Sequence, residues 1–256
     1  MSQPVMGLIV AVLAWWASTG VVLWLVRRPE RTFGPALVWG AVVAVGALVA
    51  LALAARDDGM VGALVGFTAA LIVWGWHELA FLTGRLAGTP ASRTAPPDAE
   101  GWPRFKAAAA TVIHHEIALA LTGLVVLALT WGGSNPTGAL TFLVLFGMRL
   151  STKLNIYLGV ANPPLAFLPR SLEHLRVWFR KRRFNALFPL SLLACVAATA
   201  ALASHAMDPA TAGGLAFGFA LTAGLSGLGL IEHAFLMTPS PDRALWGWAL
   251  GRESKP

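Results

Sequence analysis

Long apolar runs alternate with short polar segments along almost the whole chain. A helix needs about 20 mostly apolar residues to cross the roughly 30 Å hydrocarbon core of a bilayer. Seven runs meet this requirement, and they predict an all-α, polytopic membrane bundle that forms a single domain over residues 1–256. The predicted spans are residues 4–26, 34–55, 60–83, 105–131, 137–162, 187–206 and 211–238.

The longer polar segments all fall on one side of the predicted bundle. Within residues 170–184, Leu172, Leu175 and Phe179 recur at roughly helical spacing among arginines. This pattern predicts either a short helix lying on an anionic membrane surface or an ordinary basic loop. The polar segments are the loops 84–104 and 163–186 and the tail 239–256.

Positive charge is concentrated on that same side. Sixteen of the 19 Lys and Arg residues fall in its loops, whereas Arg56 alone falls in a loop on the other side. Because Lys and Arg are in excess in cytoplasmic loops, we expect the N-terminus outside and the C-terminus in the cytoplasm. The formal net charge of +7 is therefore explained by the basic cytoplasmic loops and does not indicate nucleic-acid binding. We expect the lipid bilayer, not nucleic acid, as the partner.

Composition excludes several classes of protein. Hydrophobic residues make up 57% of the chain and charged residues 12%, which is not typical of a water-soluble globular domain. Cys195 is the only cysteine, so the chain has neither a disulfide framework nor a cysteine-based metal cluster.

Three predicted spans carry histidine and glutamate side by side. Ionisable residues inside a membrane span are costly and usually face a protein interior or a cavity, so these are the candidate functional residues. They are His77, Glu78, His114, His115, Glu116, Glu232 and His233.

The depths of these residues predict one shared polar layer. At 1.5 Å of rise per residue, they lie roughly 9–13 Å from the basic side. The fifth span adds Lys153 and Asn155 at similar depth and Arg149 at roughly 18 Å. Because adjacent residues on a helix point about 100° apart, only a subset of the layer can share a centre.

Three kinds of site fit this layer. In a structural network, carboxylates pair with Arg149 and Lys153, and histidines hydrogen-bond to carboxylates. In a metal site, the seven His and Glu residues bind iron or another divalent metal, although the Glu-x-x-His spacing of dimetal bundles is absent. In a pocket for a tetrapyrrole pigment or a quinone, a histidine is an axial ligand to the central metal of the pigment, and the candidates are His77, His114, His115 and His233. A proton-coupled transporter is less favoured because no inverted repeat is visible.

Small and aromatic residues add two expectations. Gly214 and Gly218 have G-x-x-x-G spacing, which predicts close helix packing, with a flat pigment contact as the alternative. Trp246 and Trp248 follow the last span and are expected to be interfacial anchors.

Six motifs in order resemble the photosynthetic complex assembly proteins of the PuhE type from purple bacteria. That family is defined by a domain of unknown function and is named for its place near the reaction-centre H subunit in the photosynthesis gene cluster. The motifs are W-W-A-S-T-G (15–20), V-W-G-W-H-E-L-A-F-L-T-G (73–84), G-W-P-R-F (101–105), T-V-I-H-H-E-I-A-L-A (111–120), M-R-L-S-T-K-L-N-I-Y-L-G-V-A-N-P (148–163) and E-H-A-F-L (232–236).

The resemblance implies a multi-pass protein of the inner (intracytoplasmic) membrane that serves reaction-centre assembly or bacteriochlorophyll handling. Implied partners are reaction-centre or light-harvesting subunits, or pigment-biosynthesis proteins. The family supplies no catalytic residues to carry over. The alternative is a membrane metalloenzyme, such as a di-iron oxygenase acting on a pigment, carotenoid or quinone, and the sequence does not decide whether the protein is an enzyme.

Overall fold

A computed structural model of the protein describes residues 2–89, 99–165, 168–239 and 242–250. Seven of its helices are long and apolar enough to cross a membrane, so the protein is a multi-pass membrane protein with a polytopic helical bundle. Two shorter helices, α4 (Gly101–Ala110) and α9 (Asp242–Leu250), lie outside the spans. The spans are α1 (Gln3–Val26), α2 (Phe33–Ala54), α3 (Met60–Leu82), α5 (Ile113–Thr130), α6 (Thr137–Leu158), α7 (Leu187–Met207) and α8 (Gly213–Phe235).

The predicted fourth span, 105–131, is wrong as one continuous helix. It is broken at Thr111 and Val112 into α4 and α5. The backbone amides of Gly88 and Thr89 donate to the carbonyls of Thr111 and Ala110, both at 2.8 Å. Carbonyls that would continue the helix are therefore used by another segment. The predicted loop 84–104 accordingly ends early, since α4 begins at Gly101; its residues 90–98 lie outside the described ranges.

Helices α3 and α8 form the centre of the bundle. In each of these helices, 56% of an 18-residue apolar window is buried inside the protein, whereas the buried share of the corresponding window is 28% or less in the other spans. The expected close packing at Gly214 and Gly218 is present: Gly214 lies against the backbone that precedes α3, and Gly218 against Thr137 and Ala63. Small residues let these backbones approach closely.

The last helix, α9, packs against α1. Trp246 is 4% exposed and contacts Trp15 edge to face at 5.0 Å between ring centroids. Its Nε1 donates to the carbonyl of Trp16 at 3.2 Å. The expectation of an interfacial anchor is therefore wrong for Trp246, because α1 covers the ring; Trp248, at 53% exposure, keeps an open face.

A 3₁₀ helix, Arg170–Trp178, occupies the basic segment between α6 and α7. Its buried residues Leu172, Leu175 and Trp178 recur every third position and pack on Phe81 and Ala107. Of the two alternatives predicted here, a short helix is present, but its apolar face is covered by protein and is not available to a membrane surface.

Asn185 ties the start of α7 to the end of α6. Its Oδ1 accepts from the amides of Leu187 and Phe188, both at 3.0 Å, and its Nδ2 donates to the Gly159 carbonyl at 2.8 Å. We expect Asn185→Ala to lower the free energy of unfolding in detergent by about 1–2 kcal/mol, since helix-start amides lose their acceptor. Ser204→Ala is the control, because Ser204 is exposed and bonds only within α7. Equal losses in both variants would contradict the prediction.

Candidate functional site

Three spans bring five charged or imidazole side chains together, which we call the charge cluster. Helix α3 contributes Glu78, the first turn of α5 contributes His115 and Glu116, and α6 contributes Arg149 and Lys153. Arg149 and Lys153 are four residues apart and so lie on one face of α6. Because the chain breaks before α5, this helix begins beside the charge cluster. Glu116 therefore lies near the N-terminus of α5, where a negative charge is favoured.

The cluster is a chain of ion pairs. Arg149 Nη2 donates to Glu78 Oε2 at 3.0 Å, and Lys153 Nζ donates to Glu116 Oε1. His115 lies between the pairs: its Nδ1 is 3.1 Å from Lys153 Nζ and 3.3 Å from Glu116 Oε1. On its other side, His115 Nε2 is 4.0 Å from Glu78 Oε1. These contacts are of the kind expected for the structural network, since the carboxylates pair with Arg149 and Lys153 and one of the candidate histidines, His115, contacts a carboxylate.

Charge within the cluster is balanced, with two carboxylates and two cations. A charge held away from water is tolerated only when it is paired and hydrogen-bonded. Phe81 covers the cluster from α3, with its ring centroid 4.5 Å from that of His115 and 4.6 Å from Lys153 Nζ. Sequence reasoning missed Phe81, although its position one turn after Glu78 puts it on the same face.

Other residues of the expected layer lie elsewhere. His77 points to α5, where its Nε2 is 2.9 Å from Thr122 Oγ1, and its ring centroid is 6.5 Å from that of His115. His114 is exposed on the outer surface of α5. Neither residue makes a hydrogen bond or ion pair to a Glu side chain in the part of the chain that the structure describes.

A separate polar seam joins α6, α7 and α8. His233 Nδ1 is 2.8 Å from the Gly229 carbonyl, and its Nε2 is 2.9 Å from Ser151 Oγ. Asn155 Nδ2 donates to Ser191 Oγ at 2.8 Å. The expected single layer is therefore divided, because His233 and Asn155 face this seam and not the charge cluster.

A cavity of about 510 Å³ lies between α1, α3, α6 and α8 and is bounded on the basic side by α4, α9 and the 3₁₀ helix. Its volume is within the range of about 300–1,000 Å³ typical of small-molecule sites. Most of its wall is apolar, and four members of the charge cluster (all but His115) form one polar side. Glu232 also lines it and accepts from Trp15 Nε1 at 3.1 Å.

Neither ligand set expected from the sequence is assembled in this cavity. No histidine is among its lining residues, so a pigment there would meet Glu, Arg, Lys and Trp groups. Over the described ranges, no group of three His, Cys, Asp or Glu side chains could hold a metal ion. The reason is visible in the cluster, where Glu78 and Glu116 already bind Arg149 and Lys153. Metal and axial pigment binding stay predictions for experiment.

A family described as "Protein of unknown function (DUF3623)" matches residues 1–256. The chain belongs to this family. A relative that is 39% identical over 254 residues, covering 98% of this chain and 92% of the relative, is the "Uncharacterized 30.4 kDa protein in puhA 5'region" of Rhodobacter capsulatus. No solved structure matches the chain. Membership of the DUF3623 family over the whole chain agrees with the extent of the resemblance seen in the sequence motifs.

Proposed function

We propose that this protein is an assembly factor of the photosynthetic apparatus, of the PuhE type, and that it holds an apolar pigment-type molecule in its intramembrane cavity. It acts in the inner membrane of a purple-type photosynthetic bacterium, with the N-terminus outside and the basic side in the cytoplasm. Its partners are reaction-centre or light-harvesting subunits, or the proteins that make their pigments.

The photosynthetic context is supported by the relative from Rhodobacter capsulatus, whose name refers to the puhA 5' region. That relative covers almost the whole chain, so the shared part includes all seven spans. The basic side is assigned to the cytoplasm because of the excess of Lys and Arg in its loops.

The observation that carries the binding role is the mostly apolar cavity, with the charge cluster along one side and a few further polar groups, Glu232 among them, on its wall. Such a site suits a molecule with a large apolar body and a few hydrogen-bond acceptors, because apolar walls bury the body and a few polar groups orient it. Arg149 and Lys153 are donors on that polar side. The keto and ester oxygens of a bacteriochlorophyll are acceptors of the matching kind, and its ring and tail are apolar.

Filling the cavity tests this role. Gly75 lines the cavity, and a Cβ there would meet only Val22 Cγ2, at 3.7 Å. We therefore expect Gly75→Phe to fold normally and to place its ring in the ligand's space. Binding of bacteriochlorophyll, followed by quenching of tryptophan fluorescence in detergent, should weaken by about tenfold or more, equivalent to about 1.4 kcal/mol.

Gly46→Phe is the matched control, because Gly46 is exposed on α2 and a Cβ there meets no atom within 4 Å. In a photosynthetic host, we expect Gly75→Phe alone to lower reaction-centre absorbance. Equal affinities of both variants and the wild type would contradict binding in the cavity.

Elemental analysis of the purified protein separates this proposal from the metalloenzyme alternative. We expect bacteriochlorophyll-type absorbance without stoichiometric iron. Iron bound at about one or two atoms per chain, and lost in Glu116→Ala and His233→Ala, would overturn the proposal in favour of the enzyme.

A further inference from the structure

A second pocket, of about 470 Å³, opens where the start of α4 meets the end of α6. Arginines are the only ionisable side chains besides Tyr157 among its lining residues, and aromatic rings make up most of the rest. It shares Phe105 and Tyr157 with the larger cavity, but neither the charge cluster nor Glu232 lines it. We call it the basic pocket, and its side chains are Arg104, Arg180, Arg182, Trp102, Phe105, Tyr157 and Leu158.

Arg104 is a buried cation without an acidic partner among the described residues. It is 4% exposed, and its Nη2 donates to the Trp178 carbonyl at 3.0 Å. Its guanidinium lies over the Tyr157 ring at 4.6 Å and near the Trp178 ring at 5.7 Å. No ion pair joins it to a described carboxylate. A buried charge without a counter-ion is costly, so this pocket favours an anion.

Arg180 and Arg182 are held in position by the backbone. A parallel bridge joins Val160 and Lys181: the Val160 amide donates to the Arg180 carbonyl, and the Arg182 amide to the Val160 carbonyl, both at 3.1 Å. In an extended segment alternate side chains point to the same side, so both arginines face the pocket. Gly159, at φ +118°, leaves room for the aliphatic part of the Arg182 side chain. A Cβ atom at position 159 would lie only 2.7 Å from Arg182 Cγ.

The chemistry of the pocket identifies its ligand class. Guanidinium groups bind phosphate oxygens through paired, charge-assisted hydrogen bonds. The pocket lies at the end of a membrane span, and Trp102 beside it is 64% exposed, as is typical of residues at lipid headgroup level. We propose that the basic pocket binds a phosphate group, supplied by the headgroup of an anionic phospholipid.

This inference stands independently of the proposed function, and lipid binding by the full chain tests it. Native mass spectrometry in mild detergent measures retained phosphatidylglycerol for the wild type and for the double variant Arg180→Gln, Arg182→Gln. We expect retention to fall by about tenfold or more, since Arg180 and Arg182 line the pocket and their charge-assisted hydrogen bonds to the phosphate would be lost together.

The double variant Lys181→Gln, Arg183→Gln is the matched control. It removes the same charge from the same segment, and neither residue lines the pocket. We expect its phosphatidylglycerol retention to stay within about threefold of the wild type, because screened surface charges away from the pocket contribute little. Equal losses in the two double variants would overturn the proposal, because they would show only a general effect of charge.

Two further titrations identify the source of the phosphate. Phosphatidylcholine should be retained less than phosphatidylglycerol, and inorganic phosphate should not displace the lipid. Displacement by inorganic phosphate that depends on Arg180 and Arg182 would keep a phosphate site but overturn the lipid as its source. Arg104→Lys keeps the charge, so we expect this variant to retain the fold and part of the lipid binding. Helix content is also measured for the double variant Arg180→Gln, Arg182→Gln. If that variant loses lipid binding but keeps its helix content, unfolding is excluded as the cause.

Discussion

Replacing Lys153 by Met is expected to lower the free energy of unfolding by about 3–5 kcal/mol, the cost of stranding one partner of a buried ion pair. Lys153 is the cation that Glu116 contacts, and both side chains are largely buried between α5 and α6. Without it, the carboxylate keeps only the neighbouring His115 as a close partner. Chemical unfolding in mixed micelles, followed by circular dichroism, measures the loss.

The double variant Lys153→Met, Glu116→Gln should recover most of that loss, because both charges are removed together. Lys106→Met is the control, since Lys106 is exposed on α4 and pairs with no described carboxylate. We expect Lys106→Met to change stability by less than about 1 kcal/mol. A double variant no more stable than Lys153→Met would contradict the account of the charge cluster as a balanced network.

The second large effect is expected at Gly214, on the central helix α8. A Cβ at this position would overlap the carbonyl oxygen of Asp58 and the backbone of Gly59. Backbone atoms cannot rotate aside, so Gly214→Val must separate the start of α8 from the start of α3. We expect a loss of about 3 kcal/mol in the free energy of unfolding, the upper part of the usual range for overpacking.

Gly227→Val provides the comparison within the same helix. A Cβ at Gly227 would meet only Thr199 Cγ2, at an ordinary 3.7 Å. The substitution is the same at both positions, and its propensity cost is no larger at Gly214, in the first turn of α8, than at Gly227 in the helix interior, so a larger loss at Gly214 reports the close approach. Similar thermal unfolding midpoints would show that α8 has room to move at Gly214.

The seven spans could be predicted from the sequence because hydrocarbon thickness sets their length, whatever their neighbours. The break between α4 and α5 could not, since residues 105–131 are apolar throughout most of their length. It depends on hydrogen bonds from Gly88 and Thr89, which lie more than 20 residues away in the chain. Such a tertiary contact leaves no local pattern.

Depth along a helix predicted which residues lie at one level, and the charge cluster lies at such a level. Depth could not predict in which direction around the helix axis each side chain points, because packing decides which face of a helix its neighbours cover. His114 therefore faces outward while His115 faces inward, and His233 contacts Ser151 instead of the Glu side chains. The cavity and the basic pocket are also properties of packing, and the sequence gives no pattern for either.

The position of the charge cluster in the first turn of α5 has a consequence for the surrounding bilayer. Only residues 117–130 of this helix remain as an uninterrupted apolar stretch, which is roughly 21 Å long. The hydrocarbon core measures about 30 Å, so the two lengths do not match. We expect lipid beside α5 to accommodate this mismatch by thinning locally, which would bring headgroups and water down to the exposed His114. On this basis the membrane should be thinner on one flank of the protein, and a neighbouring protein with an equally short span would share that thin region at lower cost than ordinary lipid.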